Sequence, residues 1–545
     1  MGQIKFQVAS PEMISTARLK HMYAVDCMLV SYSVNASITN NVLTLDLPAT
    51  ESCQWFFPWP MPGGDVMLCT TSLRLSEVPY EYERELARGT VGRLLAKCAN
   101  WREQGIEFSE TLQAKVSESR TNLIDAVFLT DAIARAEAAF LAIESAIESI
   151  QLLIEEYIGQ IGSRDPALIP VTYGVVRRSS ESKAALPHTD ASITETVFLK
   201  SEETIRITTD DRQEAASGLN GQLDSLFLPS PQFRLDSTIS QELLQVASQT
   251  QKLFKDVDFT PSQTSEIPSQ KLKIGMGPIL DWCSPAIEQF FPGEMDFEQL
   301  RDNLYMLSKA IVENLPKPVN SFYVAAGVGA RGVKEFSDHQ RLQLTLDAMC
   351  GIYKSAPDLP LLASFHQPIG HEIDNAPQAI SPLHGADALI RADAGLQMIG
   401  LEISFAGDEF PSTRELLQLN ELVDVWSDFG LPLFVVIKLA PKFELCQLAL
   451  QMTRKTTVQV GGSSRDRPLS ASAALSDRKS AKPAFDYAEL RRIVSLLHTK
   501  RVVQSLFFSA PGLWADLNSA ASSPGQISFE DIVKRIISES KSSKI

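Results

Sequence analysis

No apolar run in this 545-residue chain approaches the roughly 18 residues of a membrane-crossing helix, so no helical membrane span is expected. Cysteine is scarce: seven residues, none in CxxC spacing. That rules out a disulfide framework or a paired-cysteine zinc ribbon and predicts free thiols in a reducing compartment. Positive charge is in deficit, with 50 Lys+Arg against 66 Asp+Glu and a net charge of −16. General binding to nucleic acid or to anionic membranes is therefore not expected. The first ten residues lack the apolar segment of a secretion signal, and together these absences predict a soluble, cytoplasmic protein. HExxH, GxSxG and a Walker loop are also missing, and no GxGxxG is read as following a strand. What remains is ordinary globular composition in a chain long enough for roughly two to four domains.

The C-terminal half carries a series of short apolar runs. They are Lys271–Gly277, Ser321–Gly327, Leu359–Phe365, Gly395–Phe405, Leu431–Ile437 and Val502–Phe508. Each resembles a buried parallel strand, and helical sequence lies between them. Their spacing, mostly about 35 to 50 residues, is long for a minimal (β/α)8 repeat but within its tolerance for insertions. Leu168–Val176 and Leu226–Phe233 supply the first two strands of the expected TIM barrel.

Four regions follow from this pattern. Residues 1–78 read as a small β-rich domain broken by Asn-Asn and Pro-Gly-Gly turns. Its Trp55–Pro60 cluster is either a sugar-stacking platform or the filling of a small β core. Residues 79–162 form a helical segment. Phe140, Ile143, Ile147, Ile150, Ile154, Tyr157 and Ile161 make its apolar stripe, which packs on the chain's own barrel or on a coiled-coil partner. Residues 163–530 form the barrel, with polar insertions near 179–222 and 456–482 read as disordered, and 531–545 form a tail.

In a barrel of this kind the C-terminal ends of the strands carry the chemistry. The acids and aromatics that fall there are Asp281 and Trp282, Glu372, Glu402 with Asp408, and Trp514 with Asp516. Carboxylates accept hydrogen bonds from hydroxyl groups and indoles stack on sugar rings, so the set suits a sugar or polyol. The plainer alternative is that the loop acids cap barrel helices. His366, Gln367 and His371 lie on a loop where, with Glu372, they either line a polar pocket or hold a metal ion. Pocket lining is preferred, and neither a metal nor a cofactor is predicted. Glu402, Glu372 and Asp516 are the candidate catalytic residues, and the others are candidate ligand contacts.

Several longer motifs carry a resemblance. They are Tyr80-x4-Glu85-Leu-Ala-Arg-Gly-Thr90 followed by Arg93, Ser364-Phe-x-Gln-Pro-x-Gly370, Ile399-Gly-Leu-Glu-Ile403, and Trp426-Ser-x-x-Gly430-Leu-Pro432. With them the chain resembles a divergent family-10 glycoside hydrolase of the large, xylanase-like planctomycete type. The resemblance implies a carbohydrate-active barrel and cleavage of O-glycosidic bonds in a β-linked glycan. It also implies glutamates at the ends of strands four and seven, where this sequence has Phe322–Gly329 and Leu433–Lys438 with no carboxylate. Retaining hydrolysis needs two carboxyl groups about 5 Å apart. Two expectations therefore stand: a hydrolase with relocated carboxylates, or a degenerate barrel that binds carbohydrate or serves as an interaction scaffold. Self-association is left open.

Overall fold

In the computed structural model, the residues described are 2–27, 31–47, 52–61, 64–164, 172–176, 225–228, 235, 273–283, 287–291, 296–315, 319–329, 336–366, 380–405, 412–439 and 487–509. Both polar insertions and the tail at 531–545 lie outside them.

The N-terminal strands are β1 (Gly2–Gln7), β2 (Tyr23–Val25), β3 (Ser31–Ser33), β4 (Asn35–Thr39), β5 (Val42–Leu47), β6 (Gln54–Met61), β7 (Gly64–Cys69) and β8 (Tyr80–Glu81). They build two small sheets, ordered β4-β5-β1-β8 and β7-β6-β2-β3. Alternation sets their inner faces: Ile4 and Phe6 of β1 and Leu43, Leu45 and Leu47 of β5 are buried, with polar residues between them. Trp55, Phe57 and Trp59 are fully buried, and Phe6 meets Phe57 edge-on at 5.3 Å. The aromatic cluster is thus core and not a sugar platform.

Three helices follow, Tyr82–Glu103, Glu110–Phe128 and Ala132–Arg164. The stripe of the long third helix buries Ile143, Ile147, Ile150, Ile154 and Tyr157. Tyr157 stacks on Trp101 of the first helix, with centroids 3.9 Å apart. Glu155 pairs with Arg492 of the helix Tyr487–His498 at 2.7 Å, so this segment packs on the C-terminal half of its own chain.

That half is a curled, TIM-like sheet of parallel strands. They are β9 (Thr172–Val176), β10 (Ser225–Leu228), β11 (Lys273–Met276), β12 (Leu280–Asp281), β13 (Val319–Val328), β14 (Leu361–His366), β15 (Leu396–Phe405), β17 (Leu433–Leu439) and β18 (Val503–Ser509). The pairings run β11-β10-β9-β18-β17-β15-β14-β13, with β12 beside β13, and β11 also pairs with β13. Helices cover the outer face, including Asp338–Ser355, Pro382–Arg391 and Leu416–Ser427. The sequence starts each of them clearly. Ser337 and Gln340 form a capping box, Ser381 accepts from His384 N–H ahead of Pro382, and Glu415 accepts from Leu417 N–H.

A short strand, β16 (Ser412–Arg414), leaves the end of β15 and pairs with β7 of the N-terminal sheet. Partly buried Arg93 fastens the same junction, reaching Glu415 at 3.2 Å and Glu421 at 2.7 Å. The segment that follows the site strand is therefore anchored in the N-terminal unit.

Candidate functional site

Strand alternation sorts the residues of β14, β15 and β17 onto two faces. Phe365 points to the helices, where it meets Trp426 with centroids 5.2 Å apart. On the concave face Leu362, Phe434 and Val436 pack with Tyr323 and Phe507 into a separate apolar cluster. Continuing along that face toward the C-terminal ends come Ser364 and His366, then Glu402, then Lys438. His366 pairs directly with Glu402 in the strand register, and Lys438 lies one inward-facing position beyond Glu402's partner, Val436. An apolar floor thus carries a polar cap. Gly400 makes the floor possible, because a Cβ there would stand 2.3 Å from Phe434 and 2.4 Å from Ser364.

Glu402 is 0% exposed and its carboxylate is fully engaged. Oε1 accepts from Ser364 Oγ and, at 3.1 Å, from Tyr323 OH, while the Ser364 and Tyr323 hydroxyls also touch each other. Gly327 N–H donates to Ser364 Oγ at 3.3 Å. Oε2 forms an ion pair with Lys438 Nζ. The same ammonium lies 3.1 Å from His366 Nδ1 and 3.3 Å from Cys283 Sγ. An ammonium can only donate, so Nδ1 accepts and the ring proton sits on Nε2. A buried carboxylate carries a large desolvation penalty unless it is paired and hydrogen-bonded, and here it is both.

Cys283 Sγ, a His366 ring nitrogen and a Glu402 oxygen lie within 4.8 Å of one another. Thiolate, imidazole and carboxylate suit a divalent ion such as zinc. Lys438 Nζ lies among the three atoms and already brings a positive charge to them, so the arrangement fits an ammonium better than a metal.

No protein-family model matches the chain, and no curated protein matches it. Solved structures with a similar course include a GH10 xylanase of Thermobacillus composti, at 13% identity, covering 62% of this chain and 94% of that one, with a TM-score of 0.33. A GH10 protein of Paenibacillus barcinonensis matches at 12% identity, 63% and 84% coverage and a TM-score of 0.36. An exo-β-1,4-mannosidase from an Opitutaceae bacterium gives 11% identity, 69% and 60% coverage and a TM-score of 0.34. At such scores no residue of theirs is matched to one of this chain.

The structure brings together two of the residues singled out in the sequence, Glu402 and His366. Asp281 is joined to them indirectly, since its Oδ1 accepts from Cys283 N–H at 3.3 Å. Trp282 is a correction to the sequence reading. It is fully buried, stacks on Phe291 with centroids 5.7 Å apart and donates to Thr345 Oγ1 at 3.2 Å, so it offers no face to a sugar. Glu372, Asp516, Gln367, His371, Asp408 and Trp514 lie outside the described residues.

Sequence reasoning missed Lys438, Cys283, Tyr323 and Ser364. Lys438 stands near its strand end where the family resemblance implies a carboxylate, and a lysine in that place is itself a signal. GxGxxG spacing does occur, at Gly327–Gly332 where β13 ends, which corrects the reading that none follows a strand. Residues 330 to 332 of that stretch lie outside the described residues.

Proposed function

We propose that this protein is a carbohydrate-binding (β/α)8 barrel of the glycoside-hydrolase type that holds its ligand at the C-terminal ends of the strands without cleaving it by the retaining route. One observation carries the reading: the side chain that meets Glu402 from the neighbouring strand is the cation Lys438, not a second carboxylate. A retaining pair needs two carboxyl groups about 5 Å apart, one to protonate the leaving oxygen and one to attack. A carboxylate locked to an ammonium and two hydroxyls is not available for attack. The circuit of parallel pairings, with β11 joined to both β10 and β13, supports the barrel.

The roles of the residues follow from exposure. Glu402 has no accessible surface, so in binding it acts by holding the Lys438 ammonium in place. Lys438, at 15% exposure, and the partly exposed Cys283 are the groups a ligand meets, with His366 at their side. Ammonium and imidazole nitrogens are donors and acceptors suited to hydroxyl groups.

The test is calorimetry with xylo-oligosaccharides alongside hydrolysis of aryl β-xylosides and β-glucosides. The expected result is binding without turnover, weakened in Lys438→Met by about 1 to 3 kcal/mol, the worth of a hydrogen bond from a charged donor. Turnover in the wild type that disappears in Glu402→Gln would overturn the non-hydrolytic reading and favour hydrolysis by Glu402 with an acid outside the described residues.

A further inference from the structure

Lys438 belongs to a class of side chain that neither hydrolysis nor simple sugar binding requires. It is a primary amine at the end of a buried strand, partly open on the concave side, with a carboxylate and an imidazole against its nitrogen. These are the parts needed for covalent catalysis through an imine: an amine nucleophile, an adjacent base to take its proton and a second group to handle water. A lysine that served only to neutralise Glu402 would need neither the His366 contact nor access to the concave side.

We propose that Lys438 condenses with the carbonyl carbon of a small polyhydroxylated aldehyde or ketone, such as the open-chain form of a sugar. The step balances without any further reactant. Lys438 Nζ passes a proton to Glu402 Oε2, and the free amine adds to the carbonyl carbon to give a carbinolamine. Glu402 returns the proton to the carbinolamine hydroxyl, water leaves, and a protonated imine remains. One ammonium and one carbonyl compound become one iminium ion and one water. Tyr323 and Ser364 stay on Glu402 Oε1 throughout and keep the carboxylate oriented while Oε2 exchanges the proton. The inference rests on the reading of this mouth as a site for polyhydroxylated ligands, of which it names the reactive subset.

The experiment is borohydride trapping on the full chain with dihydroxyacetone as probe, followed by peptide mapping. The expected result is a single reduced adduct on Lys438 that forms while the surface residue Lys309 stays unlabelled. Lys438→Arg keeps the cation but has no primary amine at that position and should lose the adduct. If that variant fails to fold, mapping of the wild type still decides the question. Labelling spread over surface lysines without enrichment at Lys438, or no labelling of Lys438 at all, overturns the proposal. Calorimetry with xylitol, which has no carbonyl, separates the two readings. Xylitol binding without an adduct sinks only the imine step, whereas an adduct without xylitol binding sinks the broader carbohydrate-binding reading and leaves the imine standing.

Discussion

Lys438 Nζ meets Glu402 Oε2 across two neighbouring parallel strands, although the strand register pairs Glu402 with Val436. Parallel strands bring inward positions of like parity to one face, so a long side chain one step further along β17 reaches back over the carboxylate. The site is therefore a product of register, built on an apolar floor that keeps water from beneath it.

Breaking this pair should be costly. Lys438→Met takes the ammonium away from a fully buried carboxylate and should lower stability by about 3 to 5 kcal/mol. Adding Glu402→Gln removes the uncompensated charge, so the double variant should be more stable than Lys438→Met alone. Urea titrations of the three variants, read as a double-mutant cycle, check the coupling.

Gly327 is a second sensitive point. Its φ of +65° lies in the left-handed region, and a Cβ there would fall 2.2 Å from Cys283 Sγ. Gly327→Ala should therefore destabilise the chain by about 1 to 3 kcal/mol and push Cys283 away from Lys438. Cys283→Ala in the same background should relieve the contact but not the backbone strain, giving partial recovery of the melting temperature.

Glu83 offers a pH signature. It is buried and accepts from Ala9 N–H at 3.0 Å and Ser10 N–H at 3.2 Å, yet burial still pushes its carboxyl above the usual 4.5. Above the unfolded value the folded state holds more protons than the unfolded state, so this group's contribution falls as pH rises toward its folded value. Glu83→Gln keeps an acceptor without the charge. Its melting temperature should exceed the wild type's at neutral pH, with the gap closing as pH approaches 4.5.

Arg93 tests the link between the N-terminal unit and the site. Arg93→Met strands Glu415, which is buried, caps the helix Leu416–Ser427 and has a carboxyl raised by burial despite the nearby guanidinium. A loss of about 3 kcal/mol is expected. Raising the pH should deepen it, because an unpaired buried carboxylate becomes more costly once ionised. Unchanged unfolding midpoints at pH 5 and pH 8 would show that the junction does not depend on this cation.

The sequence by itself determined the kinds of element and their ends. Short apolar runs such as Leu361–His366 read as strands buried on both faces, and serine caps place the starts of the helices between them. It also determined that Glu402 interrupts an apolar strand, since a lone acid in such a run is visible without any contact. Only tertiary structure decided what Glu402 does. Lys438 and Cys283 stand far from it along the chain and reach it through strand register, and no local pattern in the sequence encodes a distance across neighbouring strands. The same reason explains the misreading of Trp282. A tryptophan after a strand reads as a ligand platform until the helix Asp338–Ser355 is seen to cover it and take its N–H.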